Sequence, residues 1–119
     1  MPQRRAERVS HAIHREVSDL LQREVNDPRL DMATVTRVDV SHDLRYAKIH
    51  VSILGDEEQM QDGMKALRRA ARFLRKELAG RLGLRFAPEI QFALDRSIEK
   101  ADRVLRLLKE IEKEEPTGQ

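Results

Sequence analysis

Between Lys65 and Arg85 the chain carries eight basic residues, Lys65, Arg68, Arg69, Arg72, Arg75, Lys76, Arg81 and Arg85, against one acid, Glu77. Arginine at this density suits one chemistry above others, because the planar guanidinium offers paired N–H donors to phosphate oxygens. At about 100° per residue, Lys65, Arg68, Arg69, Arg72, Arg75 and Lys76 share an arc of about 120° on a helix. Like charges so placed repel by a few tenths of a kcal/mol per pair, roughly, so a helix built only for stability intersperses acids. A second run, Arg4, Arg8, His11 and Arg15, falls within about 60° on an earlier helix. Residues 95–115 hold seven acids and six bases, so the net charge of +2 hides a strong segregation. One-sided positive charge points to a polyanionic partner rather than to a merely solvated face.

Other constellations carry less. Gly80-Arg81-Leu82-Gly83 has the G-x-x-G spacing of the K-homology RNA clamp. That clamp sits between two helices, whereas here a short connector leads to an apolar stretch beginning at Phe86, so the glycines read as a helix end. His11 and His14 lack a third ligand, and the chain has no cysteine, so neither a metal site nor a thiol nucleophile is expected. Asp27 and Asp31 flank a proline turn without a neighbouring base or nucleophile, and read as caps. His42-Asp43 reads as a turn by the same argument. No phosphate loop, dinucleotide fingerprint or hydrolase elbow is present. The expectation is a protein that is not an enzyme and needs no cofactor. Only Phe73, Phe86, Phe92 and Tyr46 are aromatic, which leaves few rings for stacking on bases.

These groups must be held by a small scaffold, since 119 residues fit one compact domain. Val9, Ile13, Val17, Leu20 and Leu21 recur at helical spacing, and Pro28 sets the limit of that helix near Asn26. Ala33 and Val35 alternate in one phase and Val38 and Val40 in the other, which predicts a bulge near Arg37. After a turn at Ser41-His42-Asp43, Ala47, Ile49, Val51 and Ile53 alternate strictly, the pattern of a half-buried strand. Asp56 is placed to cap a helix over about Glu57 to Ala79, with Met60, Met64, Leu67, Ala71, Leu74 and Leu78 as its apolar stripe and Gly80 and Gly83 ending it. Phe73 lies more than a right angle from that stripe in a straight helix. A kink at Ala70 and Ala71 is therefore expected, turning Phe73 inward. A strand over Phe86 to Leu94 and a final amphipathic helix with Ile98, Ala101, Leu105, Leu108 and Ile111 complete the order. The fold class is α+β, α-β-β-α-kink-α-β, with a three-stranded sheet, helices on one face and a C-terminal helix. No apolar run approaches the roughly 20 residues of a membrane span, and the N-terminus lacks a secretory stretch, so the cytoplasm is the default and no membrane role is expected.

The chain resembles the ribosome-binding factor A family over nearly its whole length. The resemblance is carried by Arg4-Arg5-Ala6-Glu7-Arg8-Val9, by Asp27-Pro28-Arg29, and by Thr36-Arg37-Val38-Asp39-Val40-Ser41. Its most specific stretch is Asp43-Leu44-Arg45-Tyr46-Ala47-Lys48-Ile49-His50-Val51-Ser52. Phe73-Leu74-Arg75, Leu84-Arg85-Phe86-Ala87-Pro88-Glu89-Ile90-Gln91-Phe92 and Asp95-Arg96-Ser97 complete it. The family usually has Ala-x-Gly before the Phe-Ile/Leu-Arg, where this chain has Ala70-Ala71-Arg72. The resemblance implies a type II KH-like fold without the G-x-x-G clamp, residues 1–95 forming an RNA-binding domain and 96–119 a C-terminal helix and tail. It also implies a non-catalytic assembly factor, a monomer, that binds the free small (30S) ribosomal subunit and its 16S rRNA during late maturation and 5′-end processing. The candidate RNA contacts are then Arg4, Arg5, Arg8, Arg15, Arg45, Lys48, Lys65, Arg68, Arg69, Arg72, Arg75, Lys76 and Arg81. Two rival readings are a generic nucleic-acid module and a protein-interaction domain that docks through the tail helix.

Overall fold

The alternation of residues 46–53 organises the sheet. In the computed structural model, which describes residues 2–114, Ala47, Ile49, Val51 and Ile53 are buried and Tyr46 and Lys48 exposed. Their strand, β2 (Tyr46–Ile53), lies between β1 (Ala33–Val40), antiparallel to it, and β3 (Glu89–Leu94), parallel to it. The phase change in β1 is the expected bulge: pairing passes from Val35 opposite Val51 to Arg37 opposite His50. The extra residue, Thr36, lets Val35 and Val38 both reach the core. Its hydroxyl donates to the Asp95 carboxylate at 2.6 Å, tying β1 to the end of β3 across the central strand. Asp95 also accepts from the Ser97 amide at 2.8 Å. The Thr36 hydroxyl first, then the Ser97 amide, hold the Asp95 carboxyl down at about 2.

Helix α1 (Pro2–Arg23) lays Ile13, Val17, Leu20 and Leu21 over β1. A 3-10 turn, Pro28–Leu30, follows, capped by Asp27, which accepts from the Arg29 amide at 3.0 Å and its guanidinium at 2.7 Å. Helix α2 (Glu57–Leu82) begins in a capping box: Asp56 accepts from the Gln59 amide and the Gln59 side chain accepts from the Asp56 amide, each at 2.8 Å. It ends at Gly83, whose φ of 61° is the left-handed geometry in which the last carbonyls are reached. The Gly83 and Leu84 amides both donate to the Ala79 carbonyl.

Three expectations need correction. Gly80 does not stop α2; it occupies the last turn with open space around it. The helix also runs without a break across Ala70 and Ala71, and Phe73 is 39% exposed rather than turned inward. The large residues alone made the buried arc look too narrow. Gly63 and Ala66 are buried and Ala70 half-buried, which widens the arc toward Phe73. Ala66 lies only about 20° from Phe73 around the helix, so the ring sits at the rim of the packed face without any bend. Finally, β3 starts at Glu89, not Phe86. Pro88 is buried and has no N–H to give a ladder, and the bond that brings this segment to the sheet runs from the Glu89 amide to the Arg45 carbonyl at 2.7 Å.

Helix α3 (Ser97–Glu114) is amphipathic as expected, yet every residue from 97 to 113 is exposed, with Ile98, Leu105, Leu108 and Ile111 each more than half so. It is held at its base by Arg96, which reaches Glu57 at 2.6 Å and Glu99 at 3.3 Å. The radius of gyration, 18.3 Å, exceeds the value of about 13.5 Å for a compact domain of this length. The tail residues 115–119 lie outside the described residues.

The two helical glycines make opposite predictions. A Cβ on Gly63 would stand 2.7 Å from Ile53 Cδ1 and 3.3 Å from the Arg29 carbonyl oxygen. Gly63→Ala should therefore cost about 1–3 kcal/mol through overpacking. Gly80→Ala, which meets nothing within 4 Å, should add about 0.4–1 kcal/mol by restricting the unfolded chain. Urea midpoints of the two variants check both signs. Acid should act through Asp95. Its lowered carboxyl lends stability that is complete above the ordinary value of 3.8 and is lost as pH falls through about 2. On going from pH 5 to pH 2.5 the melting temperature of the native chain should drop further than that of Asp95→Asn.

Candidate nucleic-acid interface

The face of α2 turned away from the sheet carries the basic stripe. Lys65, Arg68, Arg69, Arg72, Arg75 and Lys76 are all exposed. None of the six forms an ion pair with a described residue. Several arginines elsewhere behave differently. Arg29 holds Asp27, Arg37 holds Asp39 at 3.2 Å, and Arg96 holds Glu57. The stripe is a set of free cations on a rigid helix. Only Arg75 is otherwise engaged: its guanidinium donates to the Ala87 carbonyl at 3.3 and 3.4 Å, which fastens the loop before β3 to the edge of the stripe.

The remaining candidates divide. Arg4, Arg5 and Arg8 are exposed along α1. Arg5 and Arg8 line a shallow groove with Val9, Ala12, Leu82 and Leu84, so they stand beside the C-terminal end of α2. Arg15 and Arg45 are exposed and each lies 3.8 Å from an acid, Glu16 and Asp43 respectively. Lys48 alternates with buried Ala47 and Ile49, so it lies on the sheet face that the helices leave open, opposite Asp39 in the ladder. It is thus parted from the stripe by the thickness of the sheet. Arg81 is not a free cation. Its side chain turns to α1, where it meets Glu16 at 3.0 Å and Asp19 at 2.8 Å. The guanidinium holds the Asp19 carboxyl below its ordinary value, and the pair clamps α1 to the end of α2.

Gly80 and Gly83 bound a helix end, with no loop between two helices for a phosphate clamp. Among the described residues no three His, Asp or Glu side chains come together as a metal site, and no helix is long and apolar enough to cross a membrane.

Sequence reasoning missed the exposed aromatics. Phe86 is 78% exposed with the Arg85 guanidinium carbon 5.5 Å from its ring centre, and Tyr46 is 57% exposed. Placing Phe86 inside a strand hid it. Pro88, two residues on, was the signal that the ladder begins later.

The arrangement offers a large, shallow, cationic surface that can bind phosphates over a wide area. The comparisons with known proteins agree in what they find. A family model described as ribosome-binding factor A matches residues 5–108. A ribosome-binding factor A from Acetivibrio thermocellus is 46% identical over 107 residues, covering 89% of this chain and 87% of that protein. The crystal structure of ribosome-binding factor A from Thermus thermophilus superposes with a TM-score of 0.66 at 29% identity, over 75% of this chain and 94% of that one. A homology model of the Thermus thermophilus ribosome-binding factor A, fitted into a cryo-EM map of its complex with 30S, matches with a TM-score of 0.62 at 31% identity, over 73% and 91%. With a match spanning all three strands and the whole of α2, the chain belongs to the ribosome-binding factor A family.

Proposed function

We propose that this chain is a non-catalytic assembly factor that binds the free 30S subunit through 16S rRNA, aiding late maturation and 5′-end processing. The observation that carries the reading is the stripe of unpaired bases on α2, in a family whose members are named for binding the ribosome. Five of its side chains, Lys65, Arg68, Arg69, Arg72 and Lys76, have neither an acid nor a carbonyl to satisfy them among the described residues. Phosphate oxygens would do so in pairs. Arg5 and Arg8 extend the contact onto α1, with Arg4, Arg15 and Arg45 at its margins. Residues 1–95 form the binding unit, acting as a monomer in the cytoplasm.

The mechanism needs no bond chemistry. Phosphate contacts fix position and orientation on folded RNA, and the shape of the RNA decides where they can all be made at once. A factor bound more tightly to one rRNA arrangement than to another shifts the population toward the first. Such a shift at the subunit's unfinished end would govern access of processing enzymes to it.

Binding that releases counterions weakens steeply with salt. Arg69→Ala, Arg72→Ala and Lys76→Ala together should lower affinity for small subunits and flatten the log–log salt slope by about two to three. The fold should survive, because all three side chains are exposed. Arg81→Ala is the contrasting case: it should lower the melting temperature by loosening α1 from α2 while leaving the salt slope nearly unchanged. A folded triple variant with native affinity and slope would make the stripe a solvated face only, and the contact surface would have to be sought elsewhere.

A further inference from the structure

Phe86 is the most exposed aromatic of the chain, at 78%, and its position is built rather than left over. The loop that carries it is held at three points. The Ala87 carbonyl accepts from Arg75, Pro88 is buried, and the Glu89 amide donates to the Arg45 carbonyl at 2.7 Å. Immediately before these anchors the ring is directed outward, and Arg85 covers one of its faces with the guanidinium carbon 5.5 Å from the ring centre. A cation over one face of a phenyl ring leaves the other face open as a flat, apolar platform. Tyr46, 57% exposed, lies at the same end of the sheet, since it pairs in register with Glu89. Tyr46 shares the open face of the sheet with Lys48, whereas Phe86 belongs to the return loop, next to the Ala87 carbonyl that Arg75 holds.

A flat ring covered on one face by a guanidinium group matches one ligand best. A phosphate alone needs no ring, and an apolar peptide side chain gains little from a guanidinium on the ring and another bound one residue along. An unpaired nucleotide uses both: its base stacks on the ring and its flanking phosphates meet the cations. We propose that Phe86, covered on one face by Arg85, is a stacking site for an unpaired base of the bound RNA, with Arg75 and Arg45 placed for the adjoining phosphates. The inference rests on the RNA-binding reading above and adds to it a preference for single-stranded over duplex RNA. Stacking on any base is favourable, so the site would select for unpaired structure rather than for sequence.

The chain has no tryptophan, so Phe86→Trp supplies a single fluorescent reporter at the site. A single-stranded oligoadenylate should quench its emission, and a duplex RNA of equal length should not. In parallel, Phe86→Leu, folded by circular dichroism, should bind small subunits about 5- to 150-fold more weakly with an unchanged salt slope. Equal quenching by duplex and single strand would overturn the proposal, because nearby phosphates alone would then explain the signal. So would weaker subunit binding by Phe86→Leu without quenching by any RNA, which would give the ring to a protein partner. If Phe86→Leu binds like the native chain while the α2 triple variant is weakened, the stacking site is wrong and the phosphate reading stands. Native-like binding by both variants would remove the two together.

Discussion

The parallel pairing of β2 with β3 is the constraint on which the other features depend. Antiparallel neighbours can be joined by a tight turn, as β1 and β2 are, but parallel neighbours need a crossover long enough to bring the chain back to the starting end. Here α2 is that crossover, and its 26 residues rise about 39 Å against about 26 Å for an eight-residue strand. The helix must cover the sheet with one face, and it has no other layer above it. The stripe on its outer face, from Lys65 to Lys76, is thereby left exposed on the most regular support the fold provides. The excess length also matters. The chain must double back between Gly83 and Glu89, and that return loop has no strand beside it to cover Phe86.

The close approach of α2 to the sheet depends on residues too small to advertise themselves. Gly63 packs against Ile53 and the Arg29 carbonyl, and Ala66 is buried. Periodicity of large apolar residues located the helix and its inward side correctly, but it could not weigh these small ones. The missing width of the buried arc is what made Phe73 look misplaced and a kink look necessary. The strand alternation, the β1 bulge and the Asp56 cap were all legible, because each is written in residues only a few positions apart. The antiparallel pairing of β1 and β2 is the one that their short turn permits.

The candidate interface was legible in part for the same reason. A stripe on one helix is local information, and its six exposed members can be read from spacing alone. What a given arginine meets across the fold is not. Arg81 finds Glu16 and Asp19 more than sixty positions away, so its place in a basic run says nothing about its availability. Lys48 likewise sits in the most family-like strand but on the far side of the sheet from α2. Charge density along the chain identifies the pole; only the packing sorts free cations from structural ones.

Helix α3 touches the body through little beyond the Arg96 anchor and its first turns. Eighteen residues without tertiary support are near the length at which a helix in water is marginal, because the nucleation cost is spread over few bonds. Its melting is consequently uncoupled from that of the sheet and its two packed helices. The far-ultraviolet ellipticity of the free chain would carry a gradual, nearly linear loss with temperature beneath one sharp transition. A single apparent unfolding enthalpy taken from that signal would mix two processes, whereas a probe at Tyr46 would follow the folded body alone.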